Sequence, residues 1–113
     1  MSIQKIRETG LLGEMRAAVY LRRQGMRILE KRWRAAHGEI DLIAREGNTL
    51  VFVEVKTRPR GRLDSGLMAV NAEKRGHIRS AARQYLRQHG EAPFRFDVIE
   101  ISAAGLRHIK NAF

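Results

Sequence analysis

Three residues stand out by type and spacing: Asp41, Glu54 and Lys56. Asp41 lies in Gly38-Glu39-Ile40-Asp41-Leu42-Ile43, and the other two lie in Val51-Phe52-Val53-Glu54-Val55-Lys56. Both stretches are apolar enough to be buried. Burying an unpaired carboxylate is costly, so such groups are normally paired or bound to a metal. Side chains of a strand alternate between faces, which places Glu39 with Asp41 and Glu54 with Lys56. If the two segments pair, Asp41, Glu54 and Lys56 converge at one end of a small sheet. Asp41 and Glu54 then fit as ligands of Mg2+ or Mn2+, ions that prefer oxygen donors and leave room for water and a substrate phosphate. The Val55 carbonyl is a further candidate ligand. Lys56 is placed to orient or help deprotonate an attacking water and to stabilise charge on a phosphoryl transition state. The chemistry that results is hydrolysis of a phosphodiester. An Asp…Glu-x-Lys array by itself also describes a surface salt-bridge ladder. The apolar surroundings of Glu54 favour the site.

These residues need a sheet with cover on both faces. Leu50 to Lys56 reads as a strand with Leu50 and Phe52 on the Glu54 face and Val51, Val53 and Val55 on the other, so it is expected to be central. Glu39 to Arg45 precedes it across a Glu46-Gly47-Asn48 turn, whose Gly and Asn tolerate positive φ. Met26 to Arg34 reads as an earlier strand, with Met26 and Ile28 on one face and Leu29 and Trp33 on the other. Phe94 to Ile101 alternates as a later strand, and Leu106 to Ile109 as a short last one before a packed tail, Asn111-Ala112-Phe113. Asp97 in the later strand reads as structural.

Two helices frame the strands. Leu11 to about Gln24 is helical, on the rows Leu11-Met15-Ala18-Arg22 and Glu14-Ala18-Leu21, with Gly25 as its terminator. Glu14 therefore borders the apolar stripe, either as a rim residue paired with an arginine or as a further carboxylate of the site. Residues 1–10 read as loosely held. A second helix runs from the N-cap Asn71 through His89 to Gly90, with Ile78, Ala81, Ala82, Tyr85 and Leu86 as its apolar stripe. The elements follow the order α-β-β-β-α-β-β, which suits a small mixed β-sheet flanked by helices in one α/β domain spanning residues 1–113.

Charge points to the partner. Lys and Arg number 22 against 12 Asp and Glu, a formal net charge of +10 in 113 residues. That excess suggests a polyanion, with nucleic acid ahead of a membrane surface. The candidate phosphate contacts are Arg58, Arg60 and Arg62 in the breaker-rich stretch 57–66, which is either a linker or a flap, and Lys74, Arg75 and Arg79 on the second helix. Arg75, Arg79, Arg83 and Arg87 recur every four residues on one face, a row of like charge that weakly repels itself. No cysteine is present, which removes disulfides and thiolate metal sites. The four histidines show no ligand spacing, and His37 reads as a solvated loop residue. There is no apolar run near the roughly 18 residues of a membrane span and no secretory h-region, so a cytoplasmic location is expected.

The blocks Gly38-Glu39-Ile40-Asp41-Leu42-Ile43-Ala44, Val51-Phe52-Val53-Glu54-Val55-Lys56-Thr57-Arg58, Arg95-Phe96-Asp97-Val98 and His108-Ile109-Lys110-Asn111-Ala112-Phe113 closely resemble the YraN-like family of small bacterial predicted endonucleases. That family is similar to archaeal Holliday-junction resolvases and to the wider PD-(D/E)XK nuclease superfamily. The resemblance implies a restriction-endonuclease-like fold and Mg2+- or Mn2+-dependent DNA cleavage, with branched or irregular DNA as a candidate substrate and a homodimer by analogy. It matches Asp41 to the metal-binding aspartate, Glu54 to the D/E position, Lys56 to the catalytic lysine and Glu14 to the helix glutamate of the resolvase-like branch. Ile40 stands where the superfamily often has proline. The alternative is a non-catalytic nucleic-acid-binding module or assembly partner that keeps the fold.

Overall fold

The computed structural model describes residues 3–58 and 70–113, with side chains described from residue 10. The elements are α1 (Ile3–Arg23), β1 (Arg27–Arg34), β2 (Glu39–Glu46), β3 (Thr49–Arg58), α2 (Ala72–His89), β4 (Phe94–Ser102) and β5 (Gly105–Ile109). The strands form one sheet in the order β1-β2-β3-β4-β5. All neighbours are antiparallel except β3 and β4, which run parallel on either side of the α2 crossover. The order and the mixed α/β class are those expected from the sequence.

The alternation along β3 divides the core. Leu50 and Phe52 pack with Ile78, Ala81, Ala82, Tyr85 and Leu86 of α2. Val51 and Val53 pack with Ala17, Ala18 and Leu21 of α1. β3 is therefore a central strand covered on both sides. β1 divides as its sequence suggests, with Met26 and Ile28 facing the α1 side and Leu29 and Trp33 the α2 side. The C-terminal tail packs as well: Ala112 donates its N–H to the Phe96 carbonyl, and Phe113 stacks on Phe96.

α1 differs from its sequence reading in two respects. It begins at Ile3 rather than Leu11. An isolated glycine such as Gly10 costs a helix only about 1 kcal/mol, too little to stop it. Its buried stripe is also displaced. Gly13, Ala17, Ala18 and Leu21 face the sheet, whereas Leu12, Met15 and Val19 are exposed. Close helix–sheet approach selects small residues, so hydrophobicity alone misplaced the face. The C-terminus of α1 is a Schellman motif: Met26 N–H donates to the Leu21 carbonyl and Gly25 N–H to the Arg22 carbonyl. Gly25 supplies the required positive φ of 91°.

Candidate active site

The site forms where two strands part. The β2–β3 ladder runs from Glu46↔Thr49 to Leu42↔Val53. Beyond it, the Val55 N–H donates to Asp41 Oδ2 at 2.8 Å. A side chain thus takes over from the backbone ladder at Asp41. Strict alternation also fails here, because Ile40 packs on the α2 side while Leu42 and Ala44 pack on the α1 side. On β1, Arg32 falls between the Lys31↔Leu42 and Trp33↔Ile40 pairs. It adopts the left-handed region at φ 52°, unusual for a residue with a side chain. Its Nε donates to Glu14 Oε2 at 2.7 Å.

Glu54 is buried on the α2 face of β3, 4% exposed. Its Oε1 lies 3.3 Å from Lys74 Nζ of α2 and 4.0 Å from Lys56 Nζ. Its Oε2 is buried without a hydrogen-bond partner among the described residues. Burial pushes the Asp41 carboxyl up to about 8, and the neighbouring Glu54 carboxylate adds to the effect. The Val55 N–H acts in the opposite direction, and the Glu14 carboxylate raises it further. A carboxyl that resists ionising beside a second carboxylate, in a poorly solvated corner, belongs to a donor set that a dication would relieve. Among the described residues no group of three or more His, Asp or Glu side chains is arranged to hold a metal. The pair Asp41 and Glu54 would leave most of an octahedral shell to water and phosphate, as Mg2+ prefers. A pocket of about 310 Å³ opens beside Asp41, lined also by Gly38, Glu39, Lys74, His77 and Ile78.

The structure thus brings Asp41, Glu54 and Lys56 together, with Glu14 close enough to raise Asp41 while held by Arg32. Lys74, expected as a phosphate contact, belongs to the same cluster. The sequence held the signal, since Lys74 continues the buried row Ile78, Ala81, Ala82 and Tyr85. Glu39 pairs loosely with the exposed Arg34 at 3.4 Å. Arg58 does not project freely as a phosphate ligand: its Nε lies 3.5 Å from Glu100 Oε2. Arg75 donates to the Val70 carbonyl, and the guanidinium groups of Arg75 and Arg79 lie over the Phe113 ring. Arg60 and Arg62 lie outside the described residues.

Glu100 is the residue that sequence reasoning missed. It is fully buried, and neither carboxylate oxygen has a hydrogen bond among the described residues. It stands opposite Lys56 in the β3–β4 register. An acidic residue at an inward position of an apolar strand is the same signal that singled out Glu54.

Helix α1 is seated by Gly13, where an added Cβ would run into the Thr57 hydroxyl, one residue past Lys56. Gly13→Ala is expected to destabilise the fold, because about 1–3 kcal/mol of overpacking outweighs the roughly 1 kcal/mol gained in helix propensity. Urea unfolding checks this, and the Gly13→Ala/Thr57→Ala pair should recover most of the loss if that contact is responsible.

A central strand bearing a buried glutamate, two lysines around it and an aspartate at a strand fork define an α/β protein with a mixed-charge centre at its sheet end. The chain belongs to the family described as Uncharacterised protein family UPF0102, whose model matches residues 13–101 and so spans all of these residues. It is 45% identical to a UPF0102 protein of Chlorobium chlorochromatii, covering 94% of this chain and 91% of the relative. A UPF0102 protein of Ectopseudomonas mendocina is 39% identical over 94% of each chain. One from Thermodesulfovibrio yellowstonii is 41% identical over 94% of this chain and 96% of its own.

Proposed function

We propose that this protein is a metal-dependent endonuclease that hydrolyses DNA phosphodiester bonds, with branched or irregular DNA as its substrate. The observation that carries this reading is the Asp41–Glu54 pair: two carboxylates crowded at a strand fork, one with a buried oxygen left without a hydrogen bond among the described residues. Asp41 and Glu54 would hold Mg2+ or Mn2+, with the Val55 carbonyl beside them. Bound there, the ion supplies Lewis-acid polarisation of the phosphate and a lowered pKa for its water. Val55 N–H fixes Asp41 Oδ2, so that carboxylate presents its other oxygen without rotating. Lys56, partly exposed and 4.0 Å from Glu54, orients the attacking water and meets charge that develops on the phosphate. Lys74 holds the far side of Glu54 and lines the pocket through which a phosphate would approach. Glu14 is a positioning residue, tied to Arg32 and biasing Asp41 by its charge.

One feature favours the rival reading of a binding module that keeps the fold. Lys56 and Lys74 already neutralise one oxygen of Glu54 without any ion. Purified protein incubated with linear, nicked, single-stranded and four-way-junction DNA in Mg2+, Mn2+ or EDTA separates the two. Cleavage is expected only with metal. Lys56→Ala is expected to lose about a hundredfold or more in cleavage rate, by the scale of a lost electrostatic stabiliser, while retaining DNA binding. Cleavage that persists in Lys56→Ala would indicate a contaminating nuclease, and binding without cleavage in every metal would favour the module.

A further inference from the structure

A second feature lies further along α2 and takes no part in the chemistry above. A groove of about 200 Å³ runs between α2 and the start of β4, lined by Arg79, Ala82, Arg83, Leu86, Phe94 and Phe96. Its floor is apolar, and Arg79 and Arg83 stand exposed at its edge. Phe94 is 47% exposed, although its backbone is built into the sheet opposite Leu50. Its ring is braced edge-on by Phe96 at 5.7 Å and by Phe52 at 6.1 Å. Phe96 is in turn stacked on Phe113. The result is a fixed aromatic surface, open to solvent on one side, beside a row of arginines.

The surrounding charge argues for the occupant. Arg75, Arg79, Arg83 and Arg87 lie on one row of α2, and the only acidic residue of that helix is Glu73 in its first turn. Such a row is suited to a phosphate backbone. The apolar groove beneath it carries no side-chain amide or hydroxyl that would read a base edge. Aromatic faces beside basic tracks bind bases by stacking, without sequence preference. Lys74 touches Glu54, and Arg83 stands nine residues further along the helix, about 14 Å at 1.5 Å per residue. One strand can therefore occupy the groove and the acidic site at the same time.

We infer that this groove receives an unpaired nucleobase, stacked on Phe94, of a DNA strand whose phosphates follow the arginine row. The inference deepens the nuclease reading by specifying its substrate: DNA with an unpaired stretch a few nucleotides from the bond to be cut. Duplex DNA keeps its bases stacked inside and gains nothing from Phe94.

Fluorescence anisotropy in EDTA, with labelled oligothymidylate and a duplex of equal length, tests it without requiring cleavage. Phe94→Leu keeps an apolar side chain for the groove but removes the ring face. It should weaken single-strand binding about tenfold and duplex binding less than about twofold. Single abasic residues placed in turn along the oligonucleotide should weaken binding at one or two positions, and Phe94→Leu should abolish that position dependence. Arg83→Ala should reduce the salt slope by about one for both DNAs. The inference is overturned if Phe94→Leu binds single strands like the parent, if both DNAs lose affinity equally, or if the abasic scan is flat. It is likewise overturned if Phe94→Leu alters the sedimenting mass instead, which would make a second copy of the chain the occupant. Failure to cleave any DNA would refute the nuclease reading and leave this binding result standing.

Discussion

Replacing Asp41 by asparagine should stabilise the metal-free protein near pH 8 and, in the same variant, abolish both its stabilisation by Mn2+ and its cleavage of DNA. The sign follows from the Asp41 carboxyl, raised from its ordinary 3.8 to about 8 by burial and by the Glu54 carboxylate. A raised carboxyl binds its proton more tightly in the folded chain than in the unfolded one. Its contribution to stability is therefore complete below about pH 4, declines as pH rises and is gone above about pH 8. Within that window the cost approaches about 1.4 kcal/mol per pH unit for a single group. Asparagine has no charge to desolvate, and its oxygen can still accept the Val55 N–H. The variant should thus show a flatter stability profile between pH 5 and pH 8, the two curves diverging towards the alkaline end. Metal reverses the preference, because a ligand carboxylate must release its proton before it binds. Mn2+ should stabilise the parent more strongly as pH approaches 8, with proton uptake by the buffer visible in calorimetry. Thermal melts in EDTA and in Mn2+ across this range measure both effects. An Asp41→Asn variant that is less stable than the parent at pH 8 in EDTA would show that the Asp41 carboxylate stabilises the resting fold by itself, and would remove the metal from the reading.

A site that costs the resting fold stability is a sign of function, and the sequence disclosed that cost unevenly. The convergence of Asp41, Glu54 and Lys56 was legible because a short turn joins their strands and alternation holds along β3, although it breaks at Ile40 beside Asp41. The α2 stripe was legible for the same kind of reason, since a helix repeats every few residues. Lys74 lies on that stripe, but its pairing with Glu54 depends on where α2 settles over β3, a non-local fact. The buried face of α1 was misread because Gly13 and Ala17 carry little hydrophobic signal, although their small size is what allows the helix to lie against the sheet. The left-handed backbone of Arg32 had no sequence signature at all: it arises where β1 follows β2 around the fork at Asp41. Departures from local rules gather at this fork, as they commonly do where a fold is shaped for chemistry rather than for stability.

Asp97 provides the opposite case, and Asp97→Ala is expected to be the most destabilising of these substitutions, by about 3–5 kcal/mol, because it removes one partner from a buried charge network. Asp97 is fully buried, like Glu100, yet every bond that Glu100 lacks is present. Arg95 Nε donates to it at 3.0 Å, the Asn111 N–H at 3.0 Å and His108 Nε2 at 2.7 Å. A carboxylate only accepts, so the His108 hydrogen sits on Nε2, and in the neutral ring Nδ1 accepts from the Tyr20 hydroxyl. Arg95 continues to Glu46 at 2.8 Å. One carboxylate thus links α1, β2, β4 and β5. Burial alone would raise its pKa, but the bonds from His108, Arg95 and Asn111 outweigh it and hold Asp97 below the usual carboxylate range. Its stabilisation is therefore present above the ordinary 3.8 and lost as pH falls through the lower folded value, the reverse of Asp41. Urea unfolding of Asp97→Ala and Asp41→Asn at pH 7 and pH 5 places the two acids on opposite sides of the parent. If Asp97→Ala kept the parent's stability and lost only cleavage, Asp97 would join the chemistry. Direct satisfaction by three donors argues against that, because a carboxylate already saturated by the protein has little left to offer a metal or a phosphate.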